Sequence, residues 1–580
     1  MIERGTMWRV AAVAILVLAA WGVLAVRLVQ LHLGDNETLR ERIRERRSIR
    51  VDLHTGRGRI LDRNGNLLAL DLTLQNVVVS PDVIARSNAA QAVSARLATV
   101  LGLDTRWVFE RANRSWRKYE LIQPKVTDDV VERVAALKLP GVRFEAVSTR
   151  HYPQQELACH VVGFANFESV GSAGIEQRYH HLLKGRPGMR LSEKDGARRE
   201  IYTRRSLDMA PQEGANVYLT LDQNVQYFTE RALDAAMTDF HPEAAWAIVQ
   251  EVRTGAILAM ASRPAYDPNE FNRYEPQDRL NRAVGVNYEP GSVFKIGVVA
   301  AALNEGIVAT NDLFDCEKGI WYFGGRPLRD FHAYDELDVT GILRKSSNIG
   351  AAKIAVMLGE ERLYGYLRAY GLGQPTRIEV PGEEGGILNP VKRWSKLDIT
   401  RIAMGHSVAV TALQMLGIMS CIGNDGFRMK PYLVQKVVDK DGVVLRETRP
   451  EAVARPITER TAGLMRRMLL EVTREGGTGT KAAVKGYTVA GKTGTAEKID
   501  AAGRYVRNAN ISSFVGLIPA DRPEVAIIVV LDNPQPIRTG GQTAAPVFAQ
   551  IAEPVVRYLD LRPSETFGPL AAGRAGEGAP

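Results

Sequence analysis

From Val10 to Val26 the chain reads VAAVAILVLAAWGVLAV, 17 residues without a charge between Arg9 and Arg27. Hydrocarbon offers a backbone no hydrogen-bond partners, so such a stretch crosses a bilayer only as a helix, and this one is just long enough to do so. Trp8 and Trp21 stand at positions suited to the membrane interface. A cleaved signal peptide predicts a shorter apolar region followed by an A-x-A site, and the run fits neither condition. The expectation is an uncleaved single-pass anchor over residues 10–30, with residues 1–9 as a cytoplasmic tail. The local charge count does not itself favour that orientation. Arg4 and Arg9 precede the span, whereas Arg27, Arg40, Arg42, Arg44, Arg46 and Arg47 follow it. Long translocated domains override such counts, and the large C-terminal part is placed outside the cytoplasm on functional grounds.

With 580 residues in all, the chain beyond the anchor is too long for one domain. Apolar residues at 45% and charged residues at 24% are ordinary globular usage, which excludes a polytopic membrane protein and wholesale disorder. A net charge of +9 spread over this length is a mild bias that does not indicate nucleic-acid binding. Cys159, Cys316 and Cys421 lie far apart with no CxxC, so they read as three buried thiols rather than a disulfide framework or a zinc site. The nine histidines are scattered and no H-E-x-x-H occurs; His332 and His406 read as structural, and neither a metal nor a cofactor is expected.

Glu37 to Arg50 is Arg-rich and helical in pattern. Gly56-Arg-Gly-Arg-Ile-Leu-Asp-Arg-Asn-Gly-Asn-Leu-Leu68 then places an Asn64-Gly65 turn between apolar pairs, the pattern of a β-hairpin whose arginines read as a solvated face near the membrane. A helix is expected over Asp128 to Leu137, and residues 31–215 read as a non-catalytic stem. A second unit, residues 216–560, opens with a strand at Asn216 to Asp222, a helical run through Met237, and apolar strands at Ala245 to Val252 and Ala256 to Ala261. Residues 561–580, rich in Gly, Ala and Pro, read as a flexible tail.

Three motifs carry the chemistry. Ser292-Val-Phe-Lys295 opens the run IGVVAAALNEGI, apolar nearly all round and so read as a helix buried at the domain centre. Residues three apart on a helix are neighbours, so the Lys295 amine can reach the Ser292 hydroxyl, and a desolvated lysine is a base able to activate it. Ser346-Ser-Asn348 precedes another apolar helical stretch, AAKIAVML. There the hydroxyl can relay a proton and the amide can hold a peptide bond or orient the lysine, although either serine could simply cap the helix. Lys492-Thr-Gly-Thr495 ends a segment that also matches the phosphate-loop pattern G-x-x-x-x-G-K-[ST] from Gly486. Tyr487, Thr488 and Val489 favour strand, and TAEKIDAAGRY has no apolar helical face, so a strand edge is expected here instead of a nucleotide site. On such an edge Lys492 offers a cation for a carboxylate, Thr493 and Thr495 offer hydroxyls, and Gly494 lets a backbone approach closely. S-x-x-K, S-x-N and K-T-G in this order are the set of class A β-lactamases and penicillin-binding proteins, and they imply acyl transfer. In that scheme Ser292 is the nucleophile, Lys295 the base, and the backbone N–H groups of Ser292 and Thr495 form the oxyanion site.

At these motifs the chain resembles the class B penicillin-binding proteins, monofunctional peptidoglycan D,D-transpeptidases. The resemblance runs from the anchor to about residue 558 and includes RGRILDRNGN, Tyr152-Pro153, Gly174-Ile-Glu176, NRAVGVNYEPGSVFK, RKSSNIG, GTGTKAAVKGYTVAGKTGTAEK and the closing AAPVF. Division-type (septal) members are nearest, on RKSSN, TKAAVKGY and the segment Val410 to Gln414; elongation-type members are the alternative. The resemblance implies an α/β (α+β) multidomain fold. Its parts are a single transmembrane helix, an elongated stem (dimerisation) domain and a penicillin-binding domain with a mainly antiparallel sheet flanked by helices. It also implies D-Ala-D-Ala stem peptides as substrate, β-lactams as acylating inhibitors of Ser292, and Lys492, Thr493 and Thr495 as holders of the terminal carboxylate. Partners implied are the membrane, a separate glycosyltransferase and other division proteins met through the stem. Ser347 stands where an S-D-N motif has Asp, as in division-type members.

Two other functions compete. A β-lactamase needs a further base between the second and third motifs, and Glu384-Gly-Gly-Ile-Leu-Asn389 misses the E-x-x-L-N spacing by one residue. A non-catalytic scaffold or β-lactam sensor would keep the pocket without the turnover, although every reacting residue type is present.

Overall fold

The computed structural model describes residues 4–33, 48–53, 55–194, 200–201, 205–499 and 504–564. They form two compact units: Met1–Thr55 with Arg186–Gln212, and Gly56–Gly185 with Glu213–Pro580.

In the first unit, helix α1 (Arg4–Leu33) contains an apolar stretch, Thr6–His32, with mean hydropathy 2.4 and none of it buried in protein. Trp8, Leu16, Leu18 and Trp21 are all exposed. An apolar helix exposed on every side is stable only in an apolar medium, so α1 has the length and surface of a membrane span. The unit also holds a small antiparallel sheet in which Ser48–Leu53 pairs with Gly188–Lys194, itself joined by Glu200–Ile201 and Leu207–Met209. The predicted Arg-rich helix falls largely outside the described residues, but its last three positions, Ser48 to Arg50, are strand. Their backbones pair with Glu193, Ser192 and Leu191, a long-range ladder that overrides local helical preference.

The second unit contains a seven-stranded sheet running from Val444–Glu447 through Val434–Val438, Asn216–Leu219, Ile60–Leu61 and Leu67–Val79 to Glu120–Val126, with Val142–His151 also on Leu67–Val79. The expected hairpin is Ile60–Leu61 with Leu67–Val79. Gly65 takes the left-handed conformation (φ +88°) in its turn, and Asp62 accepts from the Asn64 and Asn66 N–H groups at 2.8 Å. The expected helix is present at Asp128–Ala136. One expectation fails here. Arg59 is exposed, but Arg57 is buried, its Nε donating to Glu176 Oε2 at 2.6 Å. Arg150 donates to the other Glu176 oxygen at 2.6 Å and to Asp71 at 3.0 Å, so two carboxylates balance two guanidinium groups. A solvated arginine face is the wrong reading for Arg57 because Glu176 is far away in sequence and becomes its neighbour only in the fold.

Beyond helix α2 (Gln223–Phe240) the chain builds a five-stranded antiparallel sheet: β1 (Ala244–Glu251), β2 (Ile257–Arg263), β3 (Ala490–Ile499), β4 (Tyr505–Ile518) and β5 (Val525–Asp532), in the order β2-β1-β5-β4-β3. Side chains alternate across a strand, and here both faces are covered. Ile527, Val529 and Leu531 of β5 face a core shared with α2 and the last helix, whereas Ala526, Ile528 and Val530 face the larger core on the other side. Burial on both faces explains why these strands read as unbroken apolar runs. In the larger core lie α3 (Lys295–Asn304), α4 (Val339–Lys345), α5 (Asn348–Leu358), α6 (Ala412–Gly423) and α7 (Glu459–Thr473); α8 (Ala544–Tyr558) packs beside α2. Lys295 through Leu303 are all buried, as the all-round apolar pattern of α3 required. The mixed α/β class with a mainly antiparallel, helix-flanked sheet is the one expected. Of the predicted tail, residues 565–580 lie outside the described residues, while Ser564 N donates to Gly486 O at 3.1 Å.

Candidate active site

Ser292 sits in a short 3-10 turn, Gly291–Phe294, that runs directly into α3. The turn starts at Gly291 with φ +58°, and a Cβ there would lie 2.8 Å from Thr495 O. On the other side, a Cβ at Gly494 would lie 2.3 Å from Ser513 Oγ and 3.0 Å from Pro290 O. Two bare backbones thus let the serine turn lie against β3, which puts the first and third motifs in contact. β3 is an edge strand, as expected for Lys492 to Thr495, and an edge strand is the kind of element that can pair with an extended peptide.

The second motif is a sharp turn between α4 and α5. Ser346 closes α4 in the left-handed conformation (φ 61°), and Ser347 caps α5, its Oγ accepting from Gly350 N at 2.9 Å. Helix capping, the alternative role for this motif, thus falls to Ser347, which leaves Ser346 and Asn348 free to face the lysines.

The amine of Lys295 gathers the cluster. Its Nζ is 2.9 Å from Ser292 Oγ, 2.7 Å from Asn348 Oδ1, 2.7 Å from Ser346 O and 3.3 Å from Ser346 Oγ. Lys492 Nζ approaches the same Ser346 hydroxyl at 2.9 Å and donates to Thr493 O at 3.0 Å. Ser292, Lys295, Ser346, Asn348 and Lys492, drawn from three distant stretches, therefore form one hydrogen-bonded chain. Thr493 and Gly494 are buried beside it, and Thr495 Oγ1 accepts from Gly540 N at 3.1 Å.

Both amines are fully buried. Burial penalises the ammonium form and pushes Lys295 down to about 7, opposed by the Asp330 carboxylate. Burial, with the Lys295 charge beside it, pushes Lys492 well below the usual lysine range. Two buried amines linked through one hydroxyl disfavour each other's ammonium form. The arrangement offers a base at Lys295, and an anion brought beside Lys492 would favour its ammonium form.

Three further residues support the site and were not singled out by the sequence. Glu289 accepts from Ser407 N at 2.9 Å and from Tyr505 Oη at 3.1 Å, and lies 2.8 Å from His406 Nδ1, tying the serine turn to the Gly405–Ser407 loop and to β4. Thr478 Oγ1 lies 2.9 Å from Thr493 Oγ1. Asp330 bonds to the second motif. Glu384, the look-alike of a lactamase base, instead accepts from Asn287 at 3.1 Å and is exposed. Among the described residues no group of three or more His, Cys, Asp or Glu is arranged to hold a metal, and all three cysteines are free and buried.

A helix-flanked antiparallel sheet, a buried central helix that starts at a serine, and two amines converging on one hydroxyl define the class of penicillin-recognising serine acyltransferases. Residues 245–553 match the family described as the penicillin binding protein transpeptidase domain, and residues 53–219 match the penicillin-binding protein dimerisation domain. The chain belongs to this transpeptidase family. It is 32% identical to peptidoglycan D,D-transpeptidase FtsI of Escherichia coli (strain K12) over 562 residues, covering 96% of this chain and 92% of that protein. It is also 32% identical to stage V sporulation protein D of Bacillus subtilis (strain 168), covering 94% and 85%. Among solved structures, penicillin binding protein 3 from Mycobacterium tuberculosis complexed with aztreonam superimposes with a TM-score of 0.70 at 28% identity, over 89% of this chain and 98% of that one.

Proposed function

We propose that this protein is a serine-type peptidoglycan D,D-transpeptidase that cross-links stem peptides during septal wall synthesis and is acylated by β-lactams at Ser292. The carrying observation is the contact set of the Lys295 amine, which touches the Ser292 nucleophile and the second motif at once. Ser292 Oγ attacks the carbonyl of the penultimate D-alanine and gives its proton to neutral Lys295. The N–H groups of Ser292 and Thr495 hold the oxyanion. On collapse the C–N bond to the terminal D-alanine breaks, and the leaving nitrogen takes a proton relayed from Lys295 through the Ser346 hydroxyl. An amine from a neighbouring strand then attacks the ester, its proton returns to Lys295, and Ser292 Oγ–H is regenerated. Asn348 orients Lys295 and the substrate amide. The substrate's terminal carboxylate is the anion beside which Lys492 takes up a proton from solvent, with Thr493 and Thr495 hydroxyls beside it and Gly494 allowing the peptide backbone to lie along β3.

On this reading residues 1–9 are a cytoplasmic tail, 10–30 the anchor, 31–215 the stem, 216–560 the transpeptidase domain and 561–580 a tail. The bulk of the chain lies on the outer side of the cytoplasmic membrane, where the substrate is. The stem meets a separate glycosyltransferase and other division proteins. The similarity to FtsI and to stage V sporulation protein D supports the septal over the elongation role. Incubation with fluorescent penicillin tests the chemistry: stable labelling lost in Ser292→Ala is expected, and rapid release with penicillin turnover would make the protein a lactamase. Rescue of division by Ser292→Ala would instead make it a scaffold. A fluorescent fusion that follows the lateral wall and never the septum would overturn the septal assignment.

A further inference from the structure

Burial and charge also meet outside the three motifs, at Arg428. This residue opens the short strand Arg428–Met429, which pairs with Ala452–Ala454, and it is half-buried. Its Nε donates to Ala369 O at 3.0 Å, closing the last turn of the helix Glu360–Ala369. The rest of the guanidinium lies over the bare Cα of Gly371 (φ +91°), where a Cβ would be 2.8 Å from Nη1. The glycine leaves a seat that any side chain would fill. Among the described residues no carboxylate pairs with the Arg428 side chain. Burial disfavours its charged form, and the opposing group is Cys421, which burial itself keeps as a neutral thiol. At Lys295 burial favours a neutral amine. A guanidinium has no such escape, since it keeps its proton in proteins, so the charge at Arg428 persists.

Arg428 lines a cavity of about 320 Å³ together with Arg377, Lys430 and Glu451, a size suited to a small molecule. Lys430 is already balanced. It lies 3.6 Å from Glu451, and buried Glu379 feels its charge as well. Arg377 is exposed, and among the described residues its side chain meets no acid. Its backbone is left-handed (φ +65°), with its N–H donating to Glu383 Oε2 at 2.8 Å, while Glu383 Oε1 accepts from Thr376 N and Oγ1, both at 2.6 Å. Glu383 thus fixes the loop that carries Arg377 to the cavity wall. Three cations and one acid line the cavity, which leaves a surplus of two positive charges.

We propose that this cavity binds a phosphate-bearing ligand through the Arg428 and Arg377 guanidinium groups. A phosphomonoester carries close to two negative charges at neutral pH, which matches the surplus, and its oxygens suit the planar donor fork of arginine. A carboxylate leaves one charge unmatched. None of the lining residues belongs to the three catalytic motifs, so the site is distinct from that of acyl transfer.

The test titrates glycerol 1-phosphate into the full-length protein in detergent at low ionic strength, read by calorimetry. Saturable binding is expected, stronger than that of acetate and unaltered once penicillin has acylated Ser292. Arg428→Met weakens it about 10- to 100-fold, the range for a hydrogen bond to a charged group. Arg377→Gln, at an exposed position, weakens it about 2- to 5-fold. Lys440→Met, which removes an exposed charge outside the cavity, leaves it unchanged. Penicillin labelling at the parent rate in Arg428→Met shows that the loss is local. If that variant does not fold, Arg377→Gln and the cavity-filling Val453→Phe decide, and parent-like binding in both overturns the proposal. It is equally overturned by an absence of saturation, by binding lost on acylation, or by an effect of Lys440→Met as large as that of Arg428→Met. Micelles doped with phosphatidic acid separate the sources of the phosphate. Arg428-dependent binding tighter for the doped micelles assigns the site to a lipid headgroup, and tighter for glycerol 1-phosphate to a soluble ester.

Discussion

Two buried charge clusters in the second unit obey opposite rules. In the stem, Arg57 and Arg150 meet Glu176 and Asp71, and two positive charges are closed by two negative ones. In the catalytic domain, Lys295 and Lys492 are equally buried and share a hydroxyl, and among the described residues Asp330 is the carboxylate that opposes the shift of Lys295. In the compensated cluster both carboxylates are ion-paired with guanidinium groups, and the cluster serves the structure. In the uncompensated one burial favours the neutral, nucleophile-activating form of the amines. Buried charge is costly in both places, and what differs is whether the cost is cancelled by a counter-ion or by deprotonation.

Breaking the reactive cluster gives the largest effect. Ser292→Ala removes covalent penicillin labelling altogether. Lys295→Met lowers the acylation rate by about 10³-fold with the thermal midpoint unchanged or raised, because an amine without a full counter-charge is replaced by an apolar chain of similar length. Gel-based labelling kinetics and differential scanning calorimetry read the two quantities. The opposite outcome is expected in the stem. Glu176→Ala takes from buried Arg57 its carboxylate partner and leaves buried Arg150 with Asp71 alone, and costs about 3–5 kcal/mol in denaturant titrations, while the acylation rate per folded molecule stays at the parent value. If Glu176→Ala lost acylation without losing stability, the division of labour between the clusters would be wrong.

Lys492→Ala comes next, weakening capture of carboxylate-bearing substrates and penicillins by about 10- to 100-fold, the value of one charge-assisted hydrogen bond. The loss should appear in KM and not in the rate of a substrate lacking the carboxylate. The smallest and most diagnostic effect is the pH profile of the parent. Protonated Lys295 cannot accept the Ser292 proton, so acylation is full above about 7 and falls tenfold per pH unit below it. A profile flat from about pH 5 to 8 would mean that some other group removes the proton.

Legibility in the sequence followed the range of the interactions. Ser292 and Lys295 were readable because both lie on one turn, and the edge strand at Lys492 because Tyr487 to Val489 resist a phosphate loop. The five-stranded core was readable in its apolar runs. Arg57 reads wrongly as solvated, since nothing near it in sequence announces Glu176. Asp330 does not stand out, because an aspartate ahead of an exposed Phe331 looks like any loop acid until Ser347 and the start of α5 are brought to it. The predicted helical start at Ser292 is instead a 3-10 turn, a detail decided by Gly291 pressing on Thr495.

Composition and short-range order by themselves determined the apolar N-terminal helix, the buried central helix, the apolar strands and the candidate reacting side chains, because each depends on residues within a few positions of one another. Folding alone decided which charges would be neutralised and which would stay reactive. Desolvation and counter-ions are properties of a place in space, and in both clusters the residues that share the place come from distant parts of the chain.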